Sequence, residues 1–196
     1  EILRNTETIF ATAAVATRNG GIDLRAISAA AEAVVEIAAT TSLGFGNLRL
    51  AALANCPAGS PFFPVAFHDS HRPACAVAVE SADLAVEAFD GASSLADARR
   101  RLIERVEETA ARIAMAVEGL AQNTGVTFRG IDFSLAPYPE EQRSIGAAFE
   151  RLGVDAFGAS GSLFAAAFMT EAIERARFPR CGFSGLMLPV LEDAVL

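Results

Sequence analysis

Residues 128–158, FRGIDFSLAPYPEEQRSIGAAFERLGVDAFG, constrain this chain more than any other stretch. An apolar run of strand length ends at Ser134. A turn stiffened by Pro137 and Pro139 comes next, and an amphipathic helical pattern follows and stops at Gly153. A buried strand that leads through a stiff turn into a helix is a unit of an α/β architecture, because only a crossover helix returns the chain to a parallel neighbour.

The rest of the chain repeats that alternation. Glu7–Arg18 is apolar and β-branched and breaks at Asn19-Gly20-Gly21, which predicts a strand and a tight turn. Asp23 is placed to cap a helix reaching about Ser42, with Ile27, Ala30, Ala31, Val34, Val35 and Ala38 at inward spacing. Asn47–Asn55 and Ala74–Glu80 read as further strands. The loop between them holds three prolines in its first nine residues, with one helical turn expected at Val65–His68. Asp83 opens a short helix. Ser93–Gln122 is the longest, started by Ser94 and Asp97, with Leu95, Leu102, Val106, Ile113, Val117 and Leu120 as its apolar stripe. Arg99–Arg101 face glutamates one turn on and read as a solvated surface with pairs such as Arg100–Glu104. Pro139 fits the first position of the helix after Ser134. A last helix opens at Gly158–Ser162 and runs to about Arg177, and Cys181–Leu191 reads as a glycine-interrupted strand or bulged loop. No repeat and no linker interrupts residues 1–196, so one α/β domain is expected, with largely parallel strands and helices outside.

Composition narrows the chemistry. The formal charge is −8 and the basic residues form no stripe, which argues against nucleic acid and anionic membrane surfaces as partners. Every basic side chain is Arg, so Walker-type and Schiff-base lysines are excluded within these residues. Leu50–Phe67 is uncharged over eighteen residues, but its prolines, Asn55, Gly59 and Ser60 do not suit a membrane helix. Cys56, Cys75 and Cys181 are too few and too scattered for a disulfide framework, so a reducing cytoplasm is expected. The chain opens without Met and stops just after an acidic pair, which raises the expectation of a fragment of something longer.

Four stretches together carry a resemblance: ALANCPAGSPFFPVAFH (Ala51–His68), DFSLAPYPEEQRSIGAAFERLGV (Asp132–Val154), FGASGSLFAAAF (Phe157–Phe168) and CGFSGLMLPVLEDAVL (Cys181–Leu196). The chain is similar to uncharacterised protein family 0210, also called domain of unknown function 711, whose members are around twice this length. The resemblance implies a fold like the barrel of pyruvate formate-lyase and other glycyl radical enzymes, in which two parallel half-sheets close into an α/β barrel. A fragment would supply part of it. The glycyl radical motif is absent from these residues, so likeness of fold does not carry radical chemistry.

Parallel sheets bind ligands at the carboxyl ends of their strands. The strand ends here are Asn55-Cys56, Glu80-Ser81, Ser134–Pro137 and Glu192-Asp193, and Glu80 leaves the set if its strand is antiparallel. Cys56 lies between a strand and a proline, where a thiolate could act as nucleophile with His68 as base. The competing reading is a small apolar packing residue. His68 and His71, with Asp69 and Glu192, could hold a metal, although the spacing is a weak signal and no metal is assigned. Ser160 and Ser162 with their glycines make a candidate anion site, or simply a helix cap. Ser184, between Gly182 and Gly185, allows close backbone approach to a ligand, or a bulge. Glu192 and Asp193 could be an acid–base pair, or acids that face water.

These residues support a small-molecule enzyme of undetermined reaction, with Glu192, His68 and Cys56 in catalytic roles. Asn55, Ser134, Ser160, Ser162, Ser184 and Asp193 would hold its ligand, anionic ligands included. A non-catalytic binding protein and a homo-oligomeric interaction module are the two alternatives. No cofactor is assigned. Three structural arrangements are expected. The strands at Asn47–Asn55, Arg129–Leu135 and Cys181–Leu191 should be parallel neighbours in one sheet. Ser134, Ser184 and Glu192 should meet in one pocket. Apolar surface should be left exposed.

Overall fold

The computed structural model describes residues 1–61, 66–68 and 70–196. The helical turn expected at Val65–His68 and the position of Asp69 fall in whole or in part outside the described residues. The chain divides into two compact units, Glu1–Asp69 and Ser70–Leu196.

The first unit is a three-stranded sheet with one helix. Strand β1 (Ala11–Thr17) turns at Gly20 into the two-residue β2 (Gly21–Ile22), its antiparallel neighbour. On its other side β1 pairs in parallel with β3 (Leu50–Ala54), from Ala11 opposite Leu50 to Ala16 opposite Ala54. The helix α1 (Leu24–Ala38) makes the crossover between them. Asp23 caps it as its sequence position predicts, accepting the amides of Arg25 and Ala26 at 2.9 and 3.0 Å. The buried residues of α1 are Ala30 and Ile37. Ile27, Ala31, Val34 and Val35, expected to face inward, are exposed, because the apolar residues of α1 wrap over more of the helix than the small sheet covers. Residues Asn47–Arg49, read as the start of a strand, belong to a 3₁₀ segment (Ser42–Arg49) that glycines at 44 and 46 punctuate.

The second unit has a two-stranded parallel sheet, β4 (Ala74–Glu80) and β5 (Thr127–Ser134), with register Ala78–Asp132, Val79–Phe133 and Glu80–Ser134. Four helices cover one face: α2 (Ala82–Phe89), α3 (Leu95–Thr124), α4 (Ile145–Arg151) and α5 (Ser162–Arg175). Ile131, Phe133 and Leu135 alternate toward the helices and form a fully buried core with Leu102, Val106, Ile145, Phe149, Met169 and Ile173. Asp132 and Ser134 therefore project from the opposite face. The extra residue that β5 carries near Gly130 is a bulge. Gly130 has φ +122°, and a Cβ there would lie 2.7 Å from the Pro179 carbonyl, so the chain leaving α5 can pass directly over the strand.

That chain runs parallel to β5 without becoming a regular strand. Arg180 bridges to Ile131, and Leu186 to Leu135. Between these points residues 181–185 loop out, the bulged form of the two readings the glycines allowed. Of the three strands expected side by side, the segment after Arg180 is thus a parallel neighbour of β5, while β3 pairs with β1 in the other sheet. The protein is mixed α/β with small, mainly parallel sheets, and the strands close no barrel among the described residues. Among those residues no helix is long and apolar enough to cross a membrane.

Helix α3 starts at the predicted cap, Ser94, whose Oγ accepts the Asp97 amide at 3.1 Å, while Asp97 accepts the Ser93 amide in return. Its buried residues stop at Ala114, so Leu120, predicted to pack, is 67% exposed. The pair Arg100–Glu104 forms at 2.7 Å. Arg99 is not part of a purely solvated face. It pairs with Glu171 of α5 at 3.0 Å and lies over the Phe168 ring, 5.1 Å from its centre. The helix after Ser134 starts six residues later than Pro139. Glu141–Arg143 forms a 3₁₀ turn, and Ser144 is the cap.

Candidate functional site

The centre of the second unit is Asp132, a fully buried side chain that sequence reading passed over. Its Oδ1 accepts the Ser134 hydroxyl at 2.6 Å and the Ser184 amide at 2.8 Å, and its Oδ2 accepts the Phe183 amide at 2.7 Å. Ser184 closes the network from the other side. Its Oγ accepts the Phe133 amide at 3.1 Å and donates to the Cys181 carbonyl at 3.0 Å. Two residues of this loop hold left-handed backbone, Gly182 at φ +61° and Ser184 at φ 46°. Glycine is required at 182, since a Cβ there would stand 2.1 Å from Asp132 Oδ2. The loop amides that could have cradled an external anion are filled by the protein's own carboxylate. Ser134 and Ser184 are brought together, as expected, but they meet inside a satisfied hydrogen-bond network.

Asp193 is likewise a structural acceptor. Its Oδ1 takes the Ser144 hydroxyl at 2.6 Å and the Val195 and Leu196 amides at 2.8 and 3.1 Å. Its Oδ2 takes the Ile145 amide at 2.6 Å, while Ser144 Oγ accepts the Ala147 amide at 3.0 Å, so the two residues cap α4 together. Burial pushes the Asp193 carboxyl up, but the Ser144 hydroxyl and the three amides outweigh it and hold it below the ordinary carboxylate range. Glu192 is exposed, and no side-chain bond joins it to Ser134 or Ser184 among those described. Ser162 binds its own loop, accepting the Gly158 amide at 2.9 Å and donating to the Ala159 carbonyl at 2.8 Å, and Ser160 is exposed.

Asn55, Cys56 and His68 lie in the first unit. Asn55 follows β3 with φ 55° and extends the ladder through its amide to the Ala16 carbonyl at 2.8 Å. Cys56 is half-buried, with its thiol toward the Pro57 carbonyl at 3.7 Å, and His68 is exposed. A cavity of about 400 Å³ in this unit is lined by Ile2, Leu3, Ala33, Ile37 and Leu50, with the Arg4–Glu36 pair among its polar lining, and it contains none of the expected residues. Among the described residues no group of three or more His, Cys, Asp or Glu side chains is placed to hold a metal ion.

The edge where β4, β5 and the parallel segment end together is where a ligand could be met. Because β4 is parallel to β5, Glu80 stays in the rim set, opposite Ser134. Ser81, buried behind it, donates to the Ser134 carbonyl at 2.7 Å. The Met187 amide bonds the Leu135 carbonyl at 3.3 Å, and the Ala82 amide bonds Ala136 at 3.3 Å, so the rim is fixed on three strands' worth of backbone. Ala78 and Glu80, on the face shared with Asp132 and Ser134, are exposed.

A mixed α/β chain with a parallel-strand rim and a buried carboxylate lock is the class defined by fold and site. The chain belongs to the family described as Uncharacterised ACR (DUF711), whose model matches residues 1–196. It is 35% identical over 204 residues to a UPF0210 protein of Methanopyrus kandleri, covering 99% of this chain and 45% of the relative. It is 34% identical to a UPF0210 protein of Desulforudis audaxviator, with the same coverages, and 32% identical to one of Pyrobaculum arsenaticum, covering 44% of it. The chain thus spans about half the length of the curated relatives it matches.

Proposed function

We propose that this chain supplies part of a small-molecule site at the carboxyl edge of β4 and β5, in a protein that acts on or holds its ligand there. The supporting observation is the parallel register that sets Glu80 beside Ser134 on a rim tied by backbone bonds to Leu135 and Ala136. Glu80 is the exposed charged group of that rim and takes the acid–base or ligand-anchoring role, with Glu192 as the second carboxylate. Asp132, Ser134 and Ser184 act as positioning residues that keep the rim rigid. Ala78 leaves open floor beside them. The small parallel sheets agree with a barrel of the pyruvate formate-lyase type, to which this chain contributes part of the strands. Three unpaired cysteines suit a reducing cytoplasm.

The test is native mass spectrometry of the purified chain, which reports any small molecule carried through purification. Glu80→Gln should lower its occupancy at least tenfold with the melting temperature unchanged. Unchanged occupancy in both Glu80→Gln and Glu192→Gln, with loss in Cys56→Ala, would move the site to the first unit. A turnover screen against carboxylates and phosphates separates an enzyme from a binding protein.

A further inference from the structure

We propose that Asn19 is a self-modifying residue: the backbone nitrogen of Gly20 attacks its carboxamide and converts it to aspartate and isoaspartate, and Thr17 sets the rate. The site is the turn between β1 and β2. Asparagine followed by glycine is the pair in which this reaction meets least obstruction, because no side chain on the second residue screens its nitrogen. The chain holds five asparagines, and only Asn19 precedes a glycine. Asn19 and both its neighbours are exposed, so water reaches the reacting groups. The Asn19 carboxamide makes no hydrogen bond to another described residue, which lets it swing over the peptide bond that follows it.

Thr17 is what distinguishes this turn from an unstructured Asn-Gly pair. Its hydroxyl accepts the Gly20 amide at 2.9 Å, and that nitrogen is the one that must attack. A Cβ at position 20 would stand 2.7 Å from the same hydroxyl, so any side chain there would force Thr17 out of the bond. The contact that favours glycine after Asn19, and so creates the labile pair, also restrains it. The Gly20 amide must give up its proton and turn toward the Asn19 carboxamide carbon, and both movements break the bond to Thr17. Hydroxide takes the amide proton, the nitrogen bonds to Cγ, and the Cγ–Nδ2 bond breaks. Nδ2 leaves as ammonia with a proton returned by water. A second water opens the resulting imide ring at either carbonyl. One opening gives aspartate, and the other routes the main chain through Cγ as isoaspartate. Each product adds one negative charge, and isoaspartate also lengthens the main chain by one carbon. Strand β2 is held to β1 only by the pairs Thr17–Gly21 and Ala16–Ile22, so an added backbone atom just before it displaces the whole of its register. The Asp23 amide, bonded to the Val15 carbonyl at 2.9 Å, is the next link toward α1.

The test is incubation of the whole chain at neutral and mildly alkaline pH, followed by peptide mapping. The peptide holding Asn19 should become about 1 Da heavier and split into an aspartate and an isoaspartate form. It should do so faster than the peptides holding Asn5, Asn47, Asn55 and Asn123, at a rate that climbs with hydroxide. Asn19→Gln should remove the change from that peptide. Thr17→Val keeps the branched shape and removes the acceptor, and it should react roughly fivefold faster, the worth of one ordinary hydrogen bond. In urea the two chains should react alike, since the folded contact is gone. Hydrogen exchange in the isoaspartate form should quicken at Ile22 and Asp23 and stay unchanged in β5. The proposal is overturned if Asn19 reacts no faster than the other four asparagines. It is overturned equally if Thr17→Val leaves the folded rate unchanged, or if its effect persists in urea, since Thr17 would then have no hold on the Gly20 nitrogen.

Discussion

Asp132 holds the neighbouring Ser134 hydroxyl and the Phe183 and Ser184 amides, 51 and 52 residues away along the chain, in one buried contact. Removing its carboxylate strands the Phe183 and Ser184 amides and the Ser134 hydroxyl without acceptors. Asp132→Ala is therefore expected to lower unfolding free energy by about 2–4 kcal/mol, read from urea denaturation. The same carboxylate bears on Cys181. Burial, and then the Asp132 charge, push that thiol up to about 11, against a smaller opposing effect of Arg129. Cys181 should alkylate slowly at pH 8, with a rate that keeps rising toward about pH 11, as thiol-specific mass spectrometry would show. A plateau near pH 8 would contradict this placement. Ser134 and Ser184 stood out in the sequence because prolines and glycines mark them as rigid or closely approached. What approaches Gly182 is Asp132, and that pairing joins positions fifty apart, which no local pattern encodes. The only local sign was an acid in the middle of an apolar strand, two residues before Ser134.

At the scale of elements, capping chemistry was the most legible part. Asp23 and Ser94 start α1 and α3 where their side chains predicted, since a cap is a contact within three residues. The start of α4 was misplaced, because its cap is shared by Ser144 and the distant Asp193, whereas Pro139 and the two glutamates after it offered a local alternative. Asp193→Ala should cost about 1–2 kcal/mol, the range of a lost N-cap. The pH dependence follows from the direction of the shift. A carboxyl held below the ordinary 3.8 stabilises the fold above that pH, and its contribution is lost as pH falls through the lower folded value. Acid titration of stability should therefore show a shallower loss below about pH 4 in Asp193→Asn than in the unaltered chain. Equal slopes would mean that Asp193 carries no such linkage. The strand reading succeeded at Ala74–Glu80, where alternation is clean. It failed at Asn47–Arg49, where Gly44 and Gly46 favour the 3₁₀ turn that occupies them. The inner face of α1 was illegible for a different reason, since Ala and Val line nearly its whole circumference and periodicity alone does not say which side is covered.

At the scale of the molecule, the two units differ in how much core they own. The second unit holds a cluster of fully buried large apolar side chains around β5, while the first exposes Leu24, Val35, Leu43 and Phe45. Hydrogen exchange should find the slowest amides in β5, in α5 and in the first half of α3. Those of β1 and β3 should exchange by a separate opening of lower free energy. One common rate for both units would instead indicate a single cooperative core. The alternation of strand and helix, and with it the α/β class, was legible throughout. The pairing of β3 with β1, in a sheet that does not include β5, was not, because parallel partners are chosen by tertiary packing between segments that look alike in sequence.

The rigid rim proposed for the ligand depends on the fit between Asp132 and the glycine beneath it, and equilibrium unfolding of Gly182→Ala in two backgrounds measures that fit. With Asp132 present, the added methyl meets its carboxylate at 2.1 Å, and the substitution should cost about 2–4 kcal/mol. In Asp132→Ala the collision with the carboxylate is gone, and a smaller cost should remain, from the left-handed backbone penalty of about 1 kcal/mol and the retained Cβ at 132, which lies 2.9 Å from the added methyl. An equal cost in both backgrounds would contradict the lock and return Gly182 and Ser184 to the role of ligand contacts.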